Sequence, residues 1–319
     1  MNAALVESFQ SPPRYASFDD PAPQPGESAI RVLAAGLHPI VKSLARGAHY
    51  GSTGQLPFIP GLDGVGRLDD GRRVFFGVAR PPFGSMAERT LGKEPFLFPL
   101  PDAIPDATAA ALGNPAMSSW AALSFRAKFV AGESILILGA TGVAGQLAVQ
   151  IAKRRGAARV IACGRNPEAL MKTKSLGADA TISLELPHDD LVAALRREID
   201  AGIDVVLDYL WGAPAEATLE AIARKGLSQK NARIRYIQIG SSAGAKIALD
   251  AAVLRSSGLE MLGSGFGSAS LTDLAGSISE FFSEAANRPF EIGVRSFPLR
   301  DVASAWNEPD GGNRFVFIP

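Results

Sequence analysis

The stretch from Ser134 to Gly156, S-I-L-I-L-G-A-T-G-V-A-G-Q-L-A-V-Q-I-A-K-R-R-G, limits what this chain can fold into more than any other. Ile135 to Leu138 is an apolar run long enough for a buried strand and too short for a helix. Gly139, Gly142 and Gly145 follow at even spacing, with Ala140 where a strict G-x-G-x-x-G places its first glycine. Leu147 and Ile151 then recur at helical spacing until Gly156, a C-terminal stop. A strand, a tight glycine turn and a helix in that order form the first half of a dinucleotide-binding unit. Gly139 and Ala140 permit the turn, and Gly142 lets a pyrophosphate approach the backbone N–H groups at the helix start. Gly145 lets helix and strand pack closely, and the helix dipole favours the anion. The expected phosphate cradle is therefore the backbone of Ala140, Thr141, Gly142, Val143 and Ala144. A purely structural turn is the competing reading.

The next strand, Arg159 to Cys163, should carry the cofactor's selectivity. An enzyme that uses NAD needs a carboxylate at its end for the ribose 2′-OH. This chain offers Gly164, Arg165 and Asn166, with no carboxylate before Glu168. A charge-assisted pair from Arg165 to a 2′-phosphate is worth roughly 1.5–3 kcal/mol, about tenfold to a hundredfold in affinity. The expected cofactor is NADPH; the alternative for Arg165 is a solvated surface role.

Composition narrows the class. Across 319 residues, Lys plus Arg and Asp plus Glu are both 32, so the balanced charge favours neither nucleic acid nor an anionic membrane. Hydrophobic residues at 47% and charged ones at 20% suit globular domains, and the length suits two of them. No apolar run approaches the roughly 20 residues of a membrane span, and Met1 to Gln10 lacks the pattern of a signal peptide. One cysteine excludes an internal disulfide and makes the cytoplasm the expected compartment.

From Met1 to about Asp106 the signals are β and turn. Strands are expected at Ala3–Phe9, Ala29–Ala35, Ser85–Leu91 and Pro95–Leu100. Val65–Leu68 and Arg72–Phe76 flank a hairpin turn at Asp69-Asp70-Gly71. Together they predict a small, irregular β-barrel. Asp106 to Phe129 reads as helical, interrupted at Asn114-Pro115. Strands and helices then alternate. Strands are expected at 180–182, 204–208, 233–239 and 260–262, with helices at 167–176, 189–199, 214–224 and 271–286. This predicts a doubly wound parallel sheet. Phe290 to Pro319 returns to β character and is expected to rejoin the first part.

With these pieces placed, the chain resembles the medium-chain dehydrogenase/reductase superfamily over nearly its full length. It is most similar to the zinc-free quinone oxidoreductase (zeta-crystallin-like) branch. The resemblance rests on G-L-D-G-V-G (61–66), G-A-T-G-V-A-G (139–145), L-G-A-D (176–179), D-V-V-L-D-Y (204–209) and I-G-S-S-A-G (239–244). It implies an α/β fold: a doubly wound parallel Rossmann sheet plus a GroES-like β-barrel domain formed from both chain ends. The implied domains are 1–116 with 287–319, for substrate, and 117–286, for NADPH. It also implies a homodimer, joined through an edge strand near Glu260 to Gly263.

Zinc-dependent relatives place their ligands where this chain has His38, Leu62 and roughly Asn114, and leucine cannot bind a metal. The expectation is no metal, with His38 a satisfied polar residue or a substrate contact. Hydride chemistry then needs an electron-poor acceptor, such as a quinone or an α,β-unsaturated carbonyl, or hydrogen bonds where negative charge develops. By resemblance, His38 takes the place of an Asn near the nicotinamide, Tyr50 matches a Tyr there, and Val41 replaces a common acidic residue. Tyr50 either donates to the acceptor oxygen or lines the cleft, and His38 either donates a proton or packs the loop. Ser118 stands where relatives carry a Thr close to the nicotinamide; its alternative is a helix-start hydroxyl. Phe58, Phe83 and Phe266 either line an apolar cleft or pack the core. Gly240 and Ser241 are expected beside the nicotinamide half of the cofactor, and Arg314 is either near the cofactor or on the surface. The function these readings support is NADPH-dependent reduction of quinones or activated alkenes. Alternatives are an enoyl-thioester reductase, a metal-free alcohol dehydrogenase, or a non-catalytic NADPH-binding sensor.

Overall fold

The computed structural model describes residues 1–77, 79–223, 233–265, 267, 268 and 270–319. The chain divides into two compact units, Met1–Pro115 with Leu274–Pro319, and Ala116–Asp273.

The first unit begins with β1 (Asn2–Leu5) and β2 (Arg14–Ser17), an antiparallel pair. Then come β3 (Glu27–Leu37), α1 (Pro39–Ala45), β4 (Asp63–Leu68), β5 (Arg73–Gly77), β6 (Arg89–Lys93) and β7 (Leu97–Pro99). The expected hairpin joins β4 and β5 in antiparallel register, Arg67 opposite Arg73, across the Asp-Asp-Gly turn. β3 is the organising strand. It pairs with β6 over Glu27–Arg31 and with β4 over Ile30–Ala35, with an irregularity between Val32 and Ala34. A strand that changes partner along its length turns a small sheet back on itself. Ala3, Val6, Ile30, Phe76 and Met86 are fully buried in this unit's core.

α2 (Asp106–Ala121) runs without interruption through Pro115, correcting the break expected at Asn114-Pro115, and Ala122–Arg126 follows as a π-helical turn. The second unit then alternates strictly: β8 (Ser134–Leu138), α3 (Val143–Arg154), β9 (Arg159–Gly164), α4 (Pro167–Ser175), β10 (Ala180–Ser183), α5 (His188–Asp200), β11 (Val205–Asp208), α6 (Gly212–Ile222), β12 (Arg233–Gln238), α7 (Ala251–Ser256) and β13 (Gly258–Gly263). The six strands are parallel in the order β10-β9-β8-β11-β12-β13. Chain order reverses between β8 and β11, which makes their carboxyl ends the switch point where such sheets bind ligands. Ile135 to Leu138 and Val205 to Leu207 have no exposed surface, as strands covered on both faces require.

The chain returns to the first unit through α8 (Leu271–Asn287), α9 (Val302–Ala305) and strands β14 (Gly293–Pro298) and β15 (Asn313–Ile318). β15 pairs antiparallel with the end of β3, Phe315 opposite Leu37, and parallel with β14. The sequence reading kept residues up to 286 with the nucleotide domain, yet the unit boundary falls at Leu274. The reason is aromatic: Phe282 lies 4.9 Å from the ring of Phe75 on β5, and Phe281 stacks on Phe290 at 5.2 Å. Among the described residues no helix is long and apolar enough to cross a membrane.

Candidate functional site

The glycine turn sits at the switch point as its residue types require. Gly139 has φ of 89°, and the amides of Gly139 and Ala140 both donate to Cys163 O on the neighbouring strand, at 3.0 and 2.9 Å. A Cβ at position 145 would stand 2.2 Å from Gly139 O and 2.6 Å from Ala140 Cα, so only glycine lets α3 press against the turn. At Gly142 the nearest atom to an added Cβ is Gly139 O, 3.7 Å away, so the space over the helix start is open. Gly142 is the N-cap of α3, with no side chain capping it and no acidic residue in the first turn. Apart from the Gly142 amide, which donates to Gly139 O at 3.2 Å, the amides of the first turn keep their donors, and the positive end of the helix dipole keeps its charge. These features fit the pyrophosphate of a dinucleotide on Ala140–Ala144.

Gly164 closes the adjacent strand, and its missing Cβ makes room for Thr141, whose Cγ2 would be 2.3 Å away. Arg165 follows, exposed and with no hydrogen-bond or ion-pair partner among the described residues. Asn166 is otherwise engaged: its Oδ1 accepts from the Ala169 amide at 2.9 Å and caps α4. Gly240 follows β12, where a Cβ would stand 2.6 Å from Tyr209 O, and Ser241 is exposed beside it. The strand ends thus gather Ala140–Ala144, Gly164, Arg165, Gly240 and Ser241 along one edge of the sheet.

Sequence reasoning passed over three residues at this edge. Asp208 ends β11 with no exposed surface. It accepts from the amides of Leu210 (2.7 Å) and Trp211 (2.9 Å) and from the Tyr236 hydroxyl (2.8 Å). Burial outweighs these bonds and raises its carboxyl above the usual range. Tyr236, fully buried, is raised for the same reason and by the adjacent carboxylate. Tyr209 keeps part of its surface, while burial of its hydroxyl pushes its pKa up to about 12 against the Ser118 and Ser119 hydroxyls. Ser118 Oγ donates to Tyr209 Oη at 3.3 Å. Ser118 lies in the last turn of α2, so the helix-start alternative is corrected. The signal for Asp208 and Tyr209 was in view: a polar pair ends the apolar run of D-V-V-L-D-Y.

The first unit gathers a different cluster. His38 has no exposed surface, and its Nε2 is 3.0 Å from Asp63 Oδ1, joining the end of β3 to the start of β4. Its Nδ1 is buried without a partner. Burial lowers its pKa more than Asp63 raises it, and Arg314 lowers it further. His38 is thus a neutral ring donating Nε2–H to a carboxylate, which supports packing over proton donation. Gly36 makes space for it: a Cβ there would lie 2.5 Å from Nε2. Arg314 is buried on β15, donates from Nη1 to Leu37 O at 2.9 Å, and leaves Nε unpartnered; burial lowers it to about 10. The surface alternative for Arg314 does not match this placement. Tyr50 stands in the opposite situation, 79% exposed with its ring 4.1 Å from that of His49. Phe58 and Phe83 pack against the first unit's core, and Phe266 lies outside the described residues.

The donors present do not fit a catalytic zinc. Among the described residues no three His, Cys, Asp or Glu side chains group together. His38 and Asp63 hold each other, Leu62 packs on the core, and Cys163 is buried in β9 with its thiol raised by desolvation.

Comparison with known proteins converges on one class. Residues 143–281 match the zinc-binding dehydrogenase family. The whole chain aligns with the whole of a probable NADPH-dependent quinone reductase from Emericella nidulans, 29% identical over 360 residues. It is 30% identical over 201 residues to the quinone oxidoreductase of Mus musculus, 60% of each chain. The quinone oxidoreductase of Thermus thermophilus, solved alone and with NADPH, shares the fold over the full length of both chains, with a TM-score of 0.80 and 26% identity. The parallel strand order and the glycine turn accord with this likeness, and the chain's homologues are quinone oxidoreductases.

Proposed function

We propose that this chain is an NADPH-dependent reductase that works without a metal and passes hydride to a quinone or another α,β-unsaturated carbonyl. The observation that carries the reading is the uncapped, glycine-lined start of α3 at the switch point, with Arg165 exposed at the end of the next strand. Bound NADPH supplies the hydride. The backbone of Ala140–Ala144 holds its pyrophosphate, Arg165 its 2′-phosphate, and Gly240 and Ser241 run beside its nicotinamide half. An acceptor that delocalises the arriving charge as a hydroquinone or enolate needs no Lewis acid, which suits the donor set around His38 and Asp63. Tyr50, exposed on the loop after α1, is the hydroxyl proposed to reach the acceptor oxygen. Residues 1–115 with 274–319 form the proposed substrate domain. The homodimer is proposed through β13, the edge strand paired among the described residues with β12 alone, and the cytoplasm suits a chain whose lone cysteine is buried.

Turnover with NADPH against a panel of quinones, enones, enoyl thioesters and aldehydes tests the reading, and the first two classes should lead. Arg165→Ala should cut the preference for NADPH over NADH by about tenfold to a hundredfold; an unchanged ratio refutes the cofactor assignment. The burial of His38 supports one other reading, a sensor that binds NADPH without turnover. Tight binding with no oxidation by any acceptor would establish it.

A further inference from the structure

Tyr50 is exposed on the loop after α1, and an exposed tyrosine moves among three χ1 wells. A hydroxyl that stays in one place needs something to hold its ring, and His49 is built to do so. Neighbouring side chains on an extended chain point to opposite faces, so the rings of residues 49 and 50 meet only where the backbone folds back. It folds back here. The Ser52 amide donates to His49 O at 2.9 Å, which closes a turn with Tyr50 and Gly51 at its centre. The turn is fastened to the end of α1, because the Ala48 amide donates to Ser43 O at 3.0 Å. Within it the two rings lie 4.1 Å apart between centroids and 32° from parallel.

The imidazole is itself fixed. The Gly51 amide donates to His49 Nδ1 at 3.0 Å, a bond from two residues on of the kind that Asn and Asp side chains make in tight turns. A Cβ on Gly51 would crowd Nδ1 at 3.2 Å, so the small residue suits the contact. Because Nδ1 accepts, the proton of the neutral ring sits on Nε2. Burial lowers the pKa of the imidazole and so favours this neutral form. Building on the reading that the Tyr50 hydroxyl reaches the acceptor oxygen, we infer that His49 is its positioning residue: the Gly51 amide sets the imidazole, and the imidazole holds the tyrosine ring. The hydroxyl is then aimed before the acceptor arrives. A donor already aimed costs no reorganisation when negative charge develops on the acceptor oxygen.

The test follows hydride transfer from NADPH to a para-quinone in single turnover. Tyr50→Phe should slow it at least about tenfold. His49→Ala should slow it about threefold to tenfold, the value of one aromatic pair. His49→Asn keeps an acceptor for the Gly51 amide but loses the ring, and should slow transfer as much as His49→Ala. His49→Phe keeps a ring against Tyr50 and should retain most of the rate. Added to Tyr50→Phe, His49→Ala should change nothing further, whereas a substitution that only loosens the loop slows both backgrounds alike. Equal slowing in the two backgrounds, or a wild-type rate in His49→Ala or His49→Asn, overturns the inference. A Tyr50→Phe protein as fast as wild type overturns the reading of Tyr50 itself, and the inference with it. A second readout needs no turnover. The chain has three histidines, so the imidazole proton resonances of His49 are assigned by their loss in His49→Asn. They should lie upfield through the ring current of Tyr50 and move back in Tyr50→Leu. Resonances that do not move overturn the inference, even if the protein turns over no quinone.

Discussion

Asp208 gives the most direct measure of what holds the cofactor unit together at its switch point. Its carboxylate accepts from two amides and one tyrosine hydroxyl, and the two amides fix the turn in which Trp211 takes φ of 57°. Asp208→Ala strands all three donors. The Tyr236 hydroxyl is buried and bears the full cost, about 1–3 kcal/mol, while the part-buried amides recover some water. The expected loss is about 3–5 kcal/mol. Asp208→Asn differs in kind. Its amide oxygen serves both backbone donors, and the Tyr236 hydroxyl rotates to accept from its nitrogen, so the cost should stay within about 1 kcal/mol.

The two substitutions also separate hydrogen bonding from charge. Because the folded-state pKa of Asp208 is raised, the folded chain binds more protons than the unfolded one above the unfolded value. Its stabilising contribution is fully present below about pH 3.9 and is lost as pH rises through the raised value, with a slope of at most about 1.4 kcal/mol per pH unit. Asp208→Asn removes that slope. Urea unfolding at a series of pH values from 4 to 8, taken as wild type minus Asp208→Asn, cancels every other titrating group. A difference that stays flat or grows in favour of wild type as pH rises refutes the reasoning, as does an Asp208→Ala protein as stable as wild type.

Gly145→Ala sets a Cβ 2.2 Å from a backbone oxygen that cannot swing aside, so it should cost about 1–3 kcal/mol and weaken NADPH binding more than tenfold, read by thermal shift and titration. His38 is neutral when folded, with Asp63 raising and Arg314 lowering its pKa against the larger effect of burial. Wild type should therefore lose stability as pH falls below the unfolded value near 6.5, and His38→Asn should flatten that part of the urea profile.

The second unit was legible because its strands are short apolar runs closed by glycines, and alternation with helices leaves few topologies open. What the runs could not reveal is which polar ends go inside. Asp208 can be buried because the Leu210 and Trp211 amides and the Tyr236 hydroxyl, on β12, all donate to it. The first unit resisted for other reasons. β2, R-Y-A-S, is almost wholly exposed and shows no apolar alternation. α1 spans only seven residues, too short to reveal a period. The periodicity of α8 predicts a helix, but only the ring of Phe75, on a strand near the other end of the chain, tells which unit it joins.

The cluster around His38 shows why a catalytic zinc does not suit this chain's donors there. Asp63 carries one negative charge and Arg314 one positive, and the neutral imidazole hydrogen-bonds to Asp63, so the buried group is close to balanced. Its bonds tie β15 to β3 through Leu37 O and β3 to β4 through Asp63. A divalent cation there would find one imidazole and one carboxylate, would have to break the bond between them, and would place two further positive charges near a buried guanidinium. Two donors cannot offset that repulsion and the desolvation together. The arrangement that joins three strands is therefore the same one that makes this place unfit for a metal.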